Sequence, residues 1–200
     1  MKGSLVIVGF FVLGALCGVS GLIPFDIAET DIGYYALCAL MFSVGISVGN
    51  DPQTLKNFRS LNPRLVFLPV MTILGTLAGS AAVSLILTHR SVTDCLAIGA
   101  GFGYYSLSSI FITEYKGAEL GTIALLANIS REILTLLAAP LLVRWFGNLA
   151  PISAGGATTM DTTLPIITRT AGQQFVVVSI FHGFVVDFSV PFLVTLFCSL

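Results

Sequence analysis

Residues 121–145 read GTIALLANISREILTLLAAPLLVRW, an apolar run with Asn128, Arg131 and Glu132 at its centre. A helix needs about 20 apolar residues to cross the hydrocarbon core of a bilayer, and this run is long enough. An ionisable residue inside such a helix is costly in free energy and usually faces a cavity or the interior of a helix bundle. The run therefore predicts a membrane helix that carries Glu132 near the middle of the bilayer.

The composition of the whole chain agrees with a membrane protein. Of its 200 residues, 56% are hydrophobic and 10% are charged, whereas a soluble chain has roughly 25% charged residues. Together with a net charge of −1, this composition excludes a soluble globular domain, a disordered protein and a nucleic-acid binder. The four cysteines lie far apart and lack the spacing of metal ligands, so we expect neither a metal nor a cofactor.

Apolar runs also precede this region, and the charges between them predict the orientation of the chain. The loop after the first run holds acidic residues and no basic one, whereas the loop after the second holds Lys56, Arg59 and Arg64. Because basic loops stay on the cytoplasmic side, we expect a multi-pass protein with a cytoplasmic N-terminus. The predicted spans in this part are 4–24, 33–49 and 65–87.

Two polar, glycine-rich stretches interrupt the second half of the chain. The first reads GAGFGYYSLSS over residues 99–109, and the second reads PISAGGATTMDTTLPIITR over residues 151–169. An offset of 55 residues aligns Ile112–Gly117 with Ile167–Gly172, which suggests a repeated unit. Non-helical backbone is tolerated inside a membrane only where protein buries it or where it lines a water-filled cavity. Each stretch therefore predicts a re-entrant hairpin that enters and leaves the membrane on one side.

The repeat predicts an all-α membrane fold of about five transmembrane helices plus two oppositely oriented re-entrant hairpins. Units 94–147 and 149–198 would form an inverted repeat of the kind from which transporters build a central site. The same arrangement predicts a periplasmic C-terminus. The predicted division is a three-span region 1–92 and a transport core 93–200, which comprises hairpin 94–114, helix 117–147, hairpin 150–171 and helix 173–200.

Glu132 is the first candidate for a residue that binds substrate or protons. Asn128 lies one helical turn before it on the same face, and Arg131 points about 100° away. A second interpretation is an internal ion pair between Arg131 and Glu132 that holds helices together. We favour a functional role, because small residues hold membrane helices together at a lower free-energy cost.

Asp161 is the second candidate, in the motif TTMDTTLP. Asp is also a preferred N-cap residue, so the carboxylate has a purely structural interpretation as the cap of the next helix. Capping and binding are compatible, because a helix start inside the membrane presents N–H groups to an anion. The repeat pairs Asp161 with Ser106, and the hydroxyls of Ser108 and Thr162 add to a predicted polar chamber between the hairpins.

Two more polar residues, Glu114 and His182, have two interpretations each. Glu114 closes the first hairpin, either as a site residue or as a solvated surface acid. His182 lies inside the last span, either as a satisfied core residue or as a ligand or proton carrier. Asp187 lies in the same span and is placed to line the same cavity. The chain has no Walker loop, HExxH motif or nucleophile–base arrangement, so we do not expect an enzyme.

The runs GFGYYSLSSIFITEYKGAELGTIALLANISREIL, GGATTMDTTLPIITRT and FHGF resemble the lysine exporter (LysO) family, and the resemblance covers essentially the whole chain. It implies export of L-lysine and of toxic lysine analogues across the bacterial inner membrane, coupled to protons. It also implies that intramembrane carboxylates take part in transport. By local motif these carboxylates are Glu132 and Asp161.

The chain departs from the family pattern at its N-terminus. Family members carry a further N-terminal segment of about three spans, with a copy of the motif that stands here as FSVGIS over residues 42–47. This chain resembles the C-terminal two-thirds of such proteins. We expect either a shortened form or the product of a split gene that works with a small three-span membrane partner; a homodimer is the other possible assembly.

Two further functions stay open on the sequence. A monovalent cation/proton antiporter would use the same acids without an amino-acid pocket. A non-transporting membrane subunit of a split exporter would use them for internal pairing alone.

Overall fold

The computed structural model describes residues 63–87 and 89–200, together with residues 12–14, 16–20, 35, 39 and 42. Every regular element in this part of the chain is a helix, which confirms the all-α expectation. The predicted spans 4–24 and 33–49 lie largely outside the described residues. Numbered from residue 63, the helices are α1 (Pro63–Val66), α2 (Leu68–Ser84), α3 (Val92–Gly99), α4 (Tyr105–Lys116), α5 (Ala118–Phe146), α6 (Ala150–Gly155), α7 (Leu164–Ala171) and α8 (Val176–Ser199), with 3₁₀ helices at Gly156–Met160 and Gln173–Phe175.

Within the described residues, two helical stretches are long and apolar enough to cross a membrane. They are Ala118–Phe146, with 29 residues, and Gln173–Ser199, with 27, close to the helices that the sequence predicts. The apolar helix α2 has 17 residues, fewer than the about 20 that a full span needs. α5 and α8 each continue through an internal proline, Pro140 and Pro191, which membrane helices tolerate when neighbouring groups satisfy the freed backbone.

α3 and α4 form a first segment that is broken at residues 100–104. The hydroxyl of Ser91 caps the start of α3 by accepting the N–H of Asp94 at 3.0 Å. At the other end of the segment, Lys116 Nζ lies 3.8 Å from Asp94 Oδ1, and the neighbouring Arg90 pairs with Glu119. The chain therefore enters and leaves the first segment at the same end of the molecule.

α6, the 3₁₀ helix Gly156–Met160 and α7 form a second segment, which is also bent back on itself. Ile152, near its start, belongs to one buried cluster with Ile167 and Ala171, near its end. Val178 of α8 joins the same cluster. The packing of these apolar side chains holds the two ends of the second segment together.

The outer faces of the long helices are apolar and uncovered. Leu137 on α5 is 72% exposed and Phe192 on α8 is 61% exposed. A water-soluble monomer rarely exposes contiguous apolar surface of this kind. Such faces fit helices whose outer surface contacts lipid.

Candidate functional site

The breaks in the two segments meet inside the molecule, at a place that we call the junction (residues 100–104 and 155–163). The N–H of Ala157 donates to the carbonyl oxygen of Phe102 over 2.9 Å. Gly156 permits this approach, because its φ is +63° and a Cβ atom there would overlap the Phe102 carbonyl. Phe102 itself has φ +46°, a conformation that residues with a side chain rarely adopt. Such strain persists only where the surrounding structure enforces it.

Asn128 of α5 holds the first segment at the junction. Its side-chain oxygen accepts the N–H of Gly103 at 2.8 Å, and its amide nitrogen donates to the carbonyl oxygen of Ile98 at 3.1 Å. Ile98 lies in the last turn of α3, where carbonyls have no partner within the helix. A Cβ atom at Gly101 would lie 2.6 Å from Asn128 Nδ2, so the glycine lets the amide reach the broken backbone.

Arg131 of α5 holds the second segment. Its Nε donates to the carbonyl oxygen of Ala154 at 2.8 Å and its Nη2 to that of Ser153 at 3.1 Å. Both carbonyls belong to the last turn of α6, so the guanidinium satisfies that helix end and meets the negative end of its dipole. Arg131 also contacts the hydroxyl of Thr76 and lies 6.0 Å over the Phe102 ring. These contacts disfavour an internal ion pair with Glu132.

Glu132 lies on the inward face of α5 and is fully buried. Thr135, on the same face, packs beside Gly155 of the second segment. The charge of Glu132 acts on Asp161, so the two carboxylates are close enough to interact electrostatically. The structure thus brings together, around the junction, the two acids that the sequence singles out.

Asp161 lies between the 3₁₀ helix and α7, within the junction, and its side chain is exposed. Its carboxylate accepts the N–H of Thr162 at 2.5 Å. The N-cap position of α7 is Thr163, and the helix starts at Leu164, so the interpretation of Asp161 as an N-cap is wrong. The reason is a backbone hydrogen bond of 3.0 Å from Thr163 N–H to the Thr158 carbonyl, which closes a turn and delays the helix start.

His182 of α8 is fully buried and joins three elements. Its Nδ1 lies 3.2 Å from the hydroxyl of Thr159, and its Nε2 lies 2.9 Å from the hydroxyl of Thr72 on α2. Thr159 also donates to the carbonyl oxygen of Ser179 at 2.9 Å. Because both ring nitrogens have partners, the geometry favours the interpretation of His182 as a satisfied core residue that positions the 3₁₀ helix.

The remaining predicted residues lie in different surroundings. Ser108 is buried and donates to the Tyr104 carbonyl of its own helix at 2.9 Å, and Ser106 is partly buried on α4. The hydroxyl of Thr162 is buried and has no hydrogen-bond partner among the described residues. Glu114 is exposed in a cleft between α4 and α5, near the end of the first segment. It is thus separate from the junction.

Comparison with known proteins decides the family. The family model of the lysine exporter LysO matches residues 8–198. The chain belongs to the lysine exporter LysO family. It is 37% identical over 196 residues to the lysine exporter LysO of Escherichia coli (strain K12). The matched region covers 98% of this chain and 64% of that protein.

A second relative has a similar length. The chain is 35% identical over 196 residues to a putative lysine exporter of Haemophilus influenzae. The matched region covers 98% of this chain and 96% of that protein. The chain thus spans less than two thirds of the Escherichia coli relative and nearly all of the Haemophilus influenzae one. No solved structure matches it.

In this LysO-family chain, α2 carries polar residues that hydropathy does not reveal. Thr72, Thr76, Ser80 and Ser84 follow one another at intervals of four and therefore share one face of the helix. Thr72 contacts His182, and Thr76 contacts Arg131. The spacing is a weak signal, because hydroxyls in a helix also bond to their own backbone. It would nevertheless have identified α2 as part of the site.

Proposed function

We propose that this LysO-family chain exports L-lysine and lysine analogues across the bacterial inner membrane. Family membership and the names of both relatives support the proposal. The single observation that carries it is the fully buried carboxylate of Glu132, in a 29-residue apolar helix and beside the junction. An intramembrane acid in such a position is a functional residue by default.

The chemistry of lysine fits the groups around the junction. Its side-chain ammonium is strongly hydrated and has three N–H donors, so a site that removes its water needs carboxylates, and acids such as Asp161 lie around the junction. Glu132 supplies a further carboxylate, for substrate or for a proton. The α-carboxylate of lysine, in turn, needs hydrogen-bond donors. The first turn of α7 has no side-chain cap, which leaves backbone N–H groups for an anion, and the Thr162 hydroxyl lies beside them.

Other predicted residues take supporting roles in this proposal. Asn128, Arg131 and His182 position the two broken segments through the hydrogen bonds described above. Ser106 and Ser108 would supply hydroxyls on the side of α4. Glu114, on the exposed end of the first segment, would act at the entrance.

The proposed membrane arrangement treats the two segments as re-entrant hairpins of opposite orientation. The contact between Asp94 and Lys116 supports a return of the first segment to its starting side. The shared cluster of Ile152 and Ile167 supports the same for the second segment. With this arrangement α5 and α8 would cross in opposite directions, as in an inverted repeat, with a cytoplasmic N-terminus and a periplasmic C-terminus.

Cysteine labelling tests this arrangement. We expect Arg90→Cys and Ala118→Cys to react with a membrane-impermeant thiol reagent from the periplasmic side, because both positions flank the first hairpin. Asn57→Cys, in the basic loop, should react from the cytoplasmic side. Labelling of positions 90 and 118 from opposite sides would mean that residues 94–114 cross the membrane.

Lysine efflux tests the transport function directly. Vesicles that contain the purified chain and are loaded with radiolabelled lysine should lose it faster than protein-free vesicles. A pH gradient, acidic on the receiving side, should accelerate the loss, and an uncoupler should abolish that acceleration. Monovalent cation/proton exchange without lysine flux would identify the antiporter alternative, and the absence of both fluxes would favour a non-transporting subunit.

The same assay addresses the assembly. We propose that the active form contains either a small three-span partner or a second copy of the chain. Lysine efflux that requires co-expression of a small membrane protein would identify the split exporter. Efflux from the chain alone, with a dimer trapped by chemical cross-linking, would identify the homodimer.

A further inference from the structure

Asp187 is a buried acid for which the interactions described so far leave no role. It lies on α8, and its side chain is only 7% exposed. Neither a hydrogen bond nor an ion pair connects its carboxylate to the described part of the chain. A buried charge without partners is strongly unfavourable, so a carboxylate of this kind is retained at a cost in stability unless something binds it.

The packing of α8 on the second segment places Asp187 near Asp161. Gly183 lies against the 3₁₀ helix so closely that a Cβ atom there would lie 2.6 Å from the backbone nitrogen of Met160. Asp161 directly follows Met160, and Asp187 lies one helical turn after Gly183 on the same face of α8. The charges of Asp161 and Asp187 accordingly act on each other.

Tyr104 completes the group from the first segment. It stands at the end of the break between α3 and α4 and packs against the buried cluster that includes Val186 and Val190 of α8. Both carboxylates act electrostatically on its hydroxyl. The guanidinium of Arg131, the cation at the junction, is directed at the carbonyls of α6 and not at this group. The group formed by Asp187, Asp161 and Tyr104 therefore offers oxygen acceptors to a cation. Arg131 does not supply that cation.

We infer that Asp187 and Asp161 together bind the side-chain ammonium of the substrate, with the Tyr104 hydroxyl as the third acceptor. An ammonium has three N–H donors and no acceptor, and three oxygens from three separate elements match it. The inference rests on the proposed function and deepens it, because it names a carboxylate that the family motifs do not indicate. It leaves Glu132, beside the junction, available for the coupling proton.

The test compares Asp187→Asn with wild type for binding and efflux of lysine. Asn keeps the shape of the side chain and removes its charge, so we expect the Kd and KM for lysine to rise about 10- to 100-fold. The preference for lysine over norleucine, which lacks the side-chain ammonium, should fall by the same factor. The thermal unfolding temperature should stay equal or rise, because a buried unpaired charge has been removed. Glu119→Gln, the same carboxylate-to-amide change at the exposed start of α5, is the matched control and should change none of these quantities.

The outcomes separate this inference from the proposed function. If wild type exports lysine and Asp187→Asn keeps its KM and its selectivity, the ammonium site is wrong and lysine export stands. If wild type exports no lysine but binds 1,5-diaminopentane in a manner that depends on Asp187, the ammonium site stands and lysine export is wrong.

A measurement on the wild-type protein covers the case in which Asp187→Asn does not fold. Dicyclohexylcarbodiimide modifies carboxyl groups in apolar surroundings, and mass spectrometry of peptides locates the product. We expect modification of Asp187 that lysine suppresses and norleucine does not. Modification of Asp187 at the same rate with and without lysine would overturn the inference.

Discussion

Glu132→Gln is expected to reduce lysine export about a hundredfold while the protein stays folded. Gln has the same shape as Glu and can still form hydrogen bonds in a fully buried position. The loss of a charge-assisted interaction with a substrate or proton removes about 2–3 kcal/mol, which corresponds to this factor. Efflux of radiolabelled lysine from vesicles measures the effect. The matched control is Glu119→Gln, at the exposed start of the same helix, which should leave export unchanged.

The double variant Glu132→Gln with Arg131→Gln tells a functional charge from a structural pair. If the two residues only neutralised each other, removal of both charges would restore export, since no unpaired charge would remain. The guanidinium of Arg131 instead bonds to the carbonyls of Ser153 and Ala154. We therefore expect the double variant to be less stable than Glu132→Gln and equally inactive. Recovery of export would refute the functional role of Glu132.

Gly156→Ala is expected to lower the free energy of unfolding by about 2 to 5 kcal/mol. The left-handed φ of +63° costs a residue with a Cβ about 1–2 kcal/mol, and the overlap of that Cβ with the Phe102 carbonyl adds about 1–3 kcal/mol. Because the junction joins the two segments, export should fall with stability. Denaturant titration of the purified protein in detergent micelles measures the change.

Two glycine variants separate the components of this effect. Gly147 has φ +86° with open space around it, so Gly147→Ala should cost only the backbone component, about 1–2 kcal/mol. Gly75 lies within α2, also in open space, and Gly75→Ala should stabilise the helix by up to about 1 kcal/mol. Equal losses for Gly156→Ala and Gly147→Ala would mean that the overlap of a Cβ at position 156 with the Phe102 carbonyl adds nothing to the cost.

Much of the helical framework could be predicted from the chain alone. Hydropathy predicts a helix at 117–147, and the structure has it at Ala118–Phe146. The glycines and serines of 99–109 and 151–169 predict breaks, and helices stop and restart within both stretches. Such features are local, because they depend on the length of an apolar run and on residues that cannot continue a helix.

The site could be predicted only in part. Glu132 stands out because a charge in the middle of an apolar run is rare. Thr72 and Thr76 do not stand out, because a hydroxyl hardly changes the hydropathy of a run, and their partners His182 and Arg131 lie far along the chain. The alternative interpretation of Asp161 as an N-cap places the start of α7 at that residue, but a backbone hydrogen bond from Thr163 to Thr158 moves the start to Leu164.

The amino-acid sequence by itself determined that this is an apolar, all-helical chain with two broken segments and an acid in its longest helix. These properties follow from composition and from the local preferences of each stretch. Tertiary structure decided what each polar group does. Arg131 could have paired with Glu132, but the end of α6 lies beside it and its unsatisfied carbonyls bind the guanidinium. Asp187 lies near Asp161 because Gly183 lets α8 approach the backbone of Met160. Contacts between residues distant in sequence depend on how whole helices pack, and no local pattern specifies that.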